Sequence, residues 1–267
     1  MNKYLSFFRL RFIYGFQYRA AALAGIMTQF TWGALEILMF KAFYNADAKA
    51  FPMTFSALVS YVWMQQAFLA LFMTWILENE IFDIITNGNI AYELCRPVDV
   101  YNMWFTRSMA NRLSKALLRS MPILLFAVFL PAPYGLRLPD NGKTFSWFLL
   151  TMVLGFLTVI AYCMLLYIIN FYTISPMGIR MVSVAVVEFF SGAVIPLPFF
   201  PKGIREIFEI LPFASMQNVP LRIYSGDISG TGLYRAAGLQ IFWVILLIVA
   251  GKILMTKALK KVVVQGG

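Results

Sequence analysis

Three ionisable side chains sit inside long apolar stretches of this 267-residue chain: Glu36, Arg119 and Glu188. A charge at the centre of a bilayer costs at least about 2.5–3.5 kcal/mol on insertion scales, so such groups face a protein interior, a water path or one another. Two readings stay open for Glu36 and Glu188: the polar lining of a substrate or proton path, or a structural buried contact. Arg119 follows Lys115 and Arg112 by one and two turns on one helical face, which suits long basic side chains reaching back to the membrane interface. Little else suggests acid–base chemistry. The sequence has no histidine, which removes His-ligated metals, His general bases and Ser-His-Asp triads. Cys95 and Cys163 stand far apart and indicate no disulfide framework. Asn141-Gly142-Lys143-Thr144 ends like a phosphate-binding loop, but that pattern needs a glycine where Arg137 stands. The chain is therefore expected to carry no catalytic residue, metal or cofactor and to bind no nucleotide by itself.

The elements that must hold these residues follow from composition. Hydrophobic residues make up 61% and charged residues 13%, against roughly 45–50% and 25% in soluble domains. A soluble fold could not cover that much apolar surface; lipid removes the requirement. The net charge of +10 suits basic residues gathered at anionic lipid rather than a nucleic-acid partner. About 20 apolar residues cross the hydrocarbon layer. Such stretches occur near residues 20–43, 57–77, 110–130, 147–169, 179–195 and 236–254, predicting one all-α transmembrane domain over residues 1–267 with six spans. Residues 1–19 mix Lys3, Arg9, Arg11 and Arg19 with aromatic residues including Tyr18, as an interfacial helix does. Placing both termini in the cytoplasm puts most of the 22 basic residues on that side.

Two connections are richer than plain loops. Between the second and third spans, Ile81, Ile84, Ile85, Ile90 and Leu94 recur at helical intervals around Asn87-Gly88. The pattern predicts two short helices joined at a glycine, the second ending before Pro97. Helix–helix loops usually take 2–8 residues, so this connection needs a partner surface or the bilayer to rest on. On the other side, Asp140-Asn141-Gly142 marks a turn, and Pro196 and Pro198 interrupt the fifth span. Lys202 to Leu211 then reads as an amphipathic helix too short to cross.

Taken in order, the basic interfacial helix, the Gly88-to-Pro97 run (Gly88, Ile90, Tyr92, Glu93, Leu94, Arg96, Pro97) and the Pro196-Leu197-Pro198-Phe199-Phe200-Pro201 break resemble ABC-2 permease subunits of ATP-binding-cassette exporters. The resemblance covers essentially the whole chain. It implies half of a translocation path, paired with a second copy or a paralogous permease. It also implies a separate ATPase subunit that holds ATP and magnesium. The Gly88-to-Pro97 run would be the coupling helix, and the re-entrant hairpin at Pro196, Pro198, Phe199 and Phe200 would form part of an outer gate. The expected location is a bacterial cytoplasmic (inner) membrane. The alternative is a proton-coupled secondary transporter relaying protons through Glu36 or Glu188.

Overall fold

Helices account for all the regular structure of the described residues. The computed structural model describes residues 2–17, 19–139, 141–173 and 175–262. Tyr18 and Asp140, and the side chain of Arg19, lie outside what it describes. The helices are α1 (Asn2–Gly15), α2 (Arg19–Ala46), α3 (Phe55–Ala67), α4 (Leu69–Phe72), α5 (Asn79–Thr86), α6 (Ile90–Leu94), α7 (Val100–Phe129), α8 (Gly142–Ile169), α9 (Pro176–Phe190), α10 (Lys202–Ile210), α11 (Asn218–Tyr224) and α12 (Thr231–Leu259).

Short polar side chains set several of the starts by accepting from otherwise orphaned N–H groups. Thr54 receives Ala57 N at 3.3 Å, Asp99 receives Asn102 N at 2.7 Å, and Asn141 receives Thr144 N at 2.7 Å. The segment that resembles a phosphate loop is thus the capped start of α8. Ser175 caps α9, and Pro176 opens it where no N–H is needed.

α2, α8 and α12 are each long and apolar enough to cross a membrane. They match the first, fourth and sixth predicted spans. The other three stretches depart from expectation. The second is not one helix: α3 breaks at Phe68, α4 ends at Phe72, and residues 73–78 run without helix. The third lies within the longer α7, which begins ten residues earlier than expected. The fifth, predicted over 179–195, is α9 at 176–190, and its last residues form a turn instead. Hydropathy could not see these ends, because they depend on where backbone groups find partners inside the protein.

α8 lies at the centre. Val159, Ile160 and Met164 are fully buried, and Phe148 and Phe156 pack beside Met216 in the main core. Gly155 lets the backbone of residues 215–216 lie directly on α8; a Cβ there would overlap the Met216 carbonyl oxygen. The buried Gln240 of α12 fixes that backbone by donating to Ser215 O at 2.8 Å and Thr151 O at 3.1 Å. Outward, α2 presents Leu23, Met27, Trp32 and Leu35, and α12 presents Phe242, Ile245, Val249 and Ile253. Apolar bands of that size suit a hydrocarbon surrounding.

Candidate coupling site and membrane-buried polar residues

The connection from α4 to α7 folds as two short helices joined at Gly88. α5 turns Ile81 and Phe82 into the core. Gly88 has φ of +72°, a left-handed conformation that costs glycine little. A Cβ at Gly88 would meet nothing nearby, so conformation alone accounts for the residue type. α6 then divides its side chains. Ile90 and Glu93 are buried, whereas Tyr92 is 72% and Leu94 43% exposed. Arg96 is exposed and pairs with Glu93 at 3.1 Å. Pro97 is exposed, and its carbonyl accepts from Lys3 Nζ at 2.7 Å. Asp99 N donates to the Tyr4 hydroxyl at 3.2 Å. α1, the helix expected to lie in the membrane interface, is therefore bonded to the end of the α5–α6 unit.

A charge cluster anchors the other end of this unit. Arg107 of α7 pairs with Glu80 and lies 4.0 Å from Glu78. Arg11 of α1 reaches Glu80 at 3.4 Å. Asn111 donates to Glu78 at 2.8 Å, and Glu78 N donates to the Tyr167 hydroxyl at 2.8 Å. Burial, with the neighbouring Arg11 charge and against the pull of Glu78, brings Arg107 down to about 10. It stays cationic at neutral pH, so α1, α5 and α7 are held by one electrostatic knot. Gly15 seats the end of α1 on α7, since a Cβ there would overlap the Ser114 hydroxyl. Gly15→Leu is expected to lift that end and raise amide hydrogen exchange in α1 severalfold, with exchange in α8 unchanged.

Arg112 was expected at the interface with Lys115 and Arg119. It is instead 1% exposed. Its guanidinium donates to the carbonyls of Met73 at 2.8 Å and Ile76 at 2.6 Å, and reaches those of Ala70 and Leu71 at 3.4 Å. Cys163 Sγ lies 3.3 Å away. Arg112 thus satisfies the carbonyls released where α4 ends. Nothing in its spacing distinguishes it from its two basic neighbours. The roles of Lys3 and Tyr4 were likewise unreadable beyond a basic, aromatic start.

At the opposite end, the proline-rich break forms a 3₁₀ turn at Leu197–Phe199. Pro196 and Pro198 are buried, and Phe199 and Phe200 are partly so. The two phenylalanines separate: Phe199 packs on Phe40 and Phe51 at centroid distances of 5.3 and 5.2 Å, whereas Phe200 packs on Phe189 and Phe208 at 5.9 and 5.3 Å. α10 buries none of its residues, and Trp243 of α12 donates to Ile210 O at 2.9 Å. Arg222 of the buried α11 holds Glu209 and Asp227, each at 2.5 Å. Burial pulls Arg222 down, but these two carboxylates outweigh it and leave its pKa raised.

The three charges expected inside the membrane do not meet. Glu36 accepts from Gln66 Nε2 at 3.4 Å, beside Gly33, which admits Gln66 and Trp63 of α3. Arg119 lies across Gly25 of α2. Glu188 is half-buried near the end of α9 and forms no ion pair among the described residues. No hydrogen bond or ion pair links any two of them.

Long helices with apolar outward faces around a packed, largely apolar core define a multi-pass helical membrane protein. The chain belongs to the family described as ABC-2 family transporter protein, which it matches over residues 30–266. The resemblance to that family is thereby established, and the chain is a membrane transport component. No curated protein matches the chain significantly.

Proposed function

We propose that this protein is the permease subunit of an ATP-driven exporter in a bacterial inner membrane. It crosses six times with both termini in the cytoplasm and forms half of the path with a second copy or a paralogous permease. ATP and magnesium belong to a separate ATPase subunit. The observation that carries this reading is the α5–Gly88–α6 unit. It exposes Tyr92 and Leu94 while being fixed to α1 and α7 by Lys3, Tyr4, Arg11 and Arg107. A surface so placed receives a push from a docked ATPase and passes it to two other helices. Gly88, Glu93, Arg96 and Pro97 shape the unit, and Ile90 secures it from within. The hairpin of α10 and α11 after the break at Pro196 and Pro198 is the outer gate. There Phe199 couples the gate to α2, and Phe200 couples it to α9.

Coupling requires that the partner's states make different contacts with this chain. The test is affinity capture of the tagged full chain from its native membrane in mild detergent. The wild type is expected to bring down an ABC ATPase. Tyr92→Asp combined with Leu94→Asp should reduce that recovery at least tenfold while leaving the melting temperature unchanged. Ile90→Asp should instead lower the melting temperature, because Ile90 is 2% exposed. Undiminished ATPase recovery by the double variant would remove α6 as the docking element. A chain isolated alone, with transport driven by a proton gradient and abolished by Glu36→Gln or Glu188→Gln, would establish the proton-coupled reading.

A further inference from the structure

A second site lies where α1, the start of α2, residues 78–80 and α7 enclose a cavity of about 310 Å3. Its lining includes Arg11, Ala22, Glu80, Lys115, Leu118 and Arg119. The charges in it are unevenly matched. Glu80 is held by Arg107 and Arg11, and the nearby Glu78 by Asn111 and Arg107. Both carboxylates are therefore engaged. Lys115 and Arg119 remain, with no hydrogen bond or ion pair among the described residues, and Arg119 Nε is buried without an acceptor. They stand four residues apart on α7, about 5–6 Å between Cβ atoms. Two like charges held side by side repel, and Glu78 offsets Lys115 only in part, being shared with Arg107 and Asn111. The rest of the lining is small or apolar on the side of Ala21, Ala22 and Leu118.

We propose that this cavity binds the phosphate of an anionic lipid headgroup, gripped between the Lys115 ammonium and the Arg119 guanidinium. The chemistry fits each part. A guanidinium presents paired donors to phosphate oxygens, and an ammonium adds a compact charge. Basic pockets between membrane helices are suited to such headgroups. The apolar side of the lining receives the first acyl carbons, which a free phosphate lacks. A lipid bound there would lie beneath α1 and complete its seat on α7. The proposal needs only that the chain lies in a membrane, so it stands or falls separately from ATP-driven export.

Native mass spectrometry of the delipidated full chain, titrated with phosphatidylglycerol, phosphatidylcholine or inorganic phosphate, tests it. Phosphatidylglycerol adducts are expected at roughly tenfold lower concentration than phosphatidylcholine adducts, and Lys115→Gln with Arg119→Gln should erase that difference. Lys257→Gln with Lys260→Gln, on the far tail of α12, should preserve it. If the first pair lowers the melting temperature, Leu118→Trp offers an independent check. It keeps both cations, fills the cavity and should also erase the preference. Equal binding of the two lipids would overturn the proposal. A preference surviving both cavity variants would do the same. Inorganic phosphate displacing the lipid at equal concentration would replace the headgroup with a soluble anion.

Discussion

Arg112→Met is expected to destabilise the folded chain by about 2–6 kcal/mol, the cost of leaving its two closely bonded buried carbonyls unsatisfied. The reason lies in what Arg112 holds. The chain leaves helical geometry after Phe72, so the carbonyls of residues 70–76 lose their intrahelical donors. Arg112 supplies donors to four of them from a position that is 1% exposed. Methionine has similar length and no donor, so these carbonyls would be buried unsatisfied, each costing about 1–3 kcal/mol before relaxation. Arg112→Lys should recover only part of the loss, because one ammonium cannot reproduce a planar fork spread over several acceptors. Thermal unfolding followed by size-exclusion chromatography in detergent measures both variants. A melting temperature for Arg112→Met within a degree of wild type would show that other donors or water satisfy this backbone.

Gly155→Ala is expected to be nearly as damaging, at roughly 3 kcal/mol, the upper part of the range for overpacking. One added methyl would occupy the position of the Met216 carbonyl oxygen. That backbone has little freedom to retreat. Gln240 holds Ser215 O from α12, and Trp243 holds Ile210 O a few residues earlier. The strain would spread into α11, whose residues are all buried. Gly238 offers the control, since a Cβ there meets nothing within contact range. Gly238→Ala should be neutral or slightly stabilising, as alanine is the better helix former. Equal melting temperatures for the two alanine variants would show that the 215–216 backbone yields easily.

Much of the membrane character was legible because it rests on composition and run length. α2, α8 and α12 are continuous apolar helices, and hydropathy finds such segments without knowing their neighbours. The Asn87-Gly88 joint was readable for a local reason: the left-handed backbone at Gly88 is a property of the residue itself. Residues 57–77 read as one continuous helix because Met73–Leu77 are as apolar as the helices before them, whereas the chain breaks at Phe68 and leaves helix after Phe72. The carbonyls released there are satisfied by a guanidinium about 40 residues away, which hydropathy cannot register. The same limit explains Ile90 and Leu94. Both fit one helical stripe, yet Ile90 faces the protein's core and Leu94 faces outward. A five-residue helix is too short for periodicity to say which residues its neighbours will cover.

The polar face of α3 has a consequence for biosynthesis. Ser60 accepts from Arg137 N, Trp63 donates to Tyr134 O, Gln65 donates to Ala193 O, and Tyr61 accepts from Asn218. Every one of these partners is made after α3 leaves the ribosome. Gln65 has to wait for about 130 further residues, and Tyr61 for more than 150. Until then α3 carries amide, indole and hydroxyl groups that lipid cannot satisfy. The polar bonds of α3 therefore cannot all close before the later segments have been made. These groups stay without their final partners until residues 134–137, Ala193 and α11 have been made.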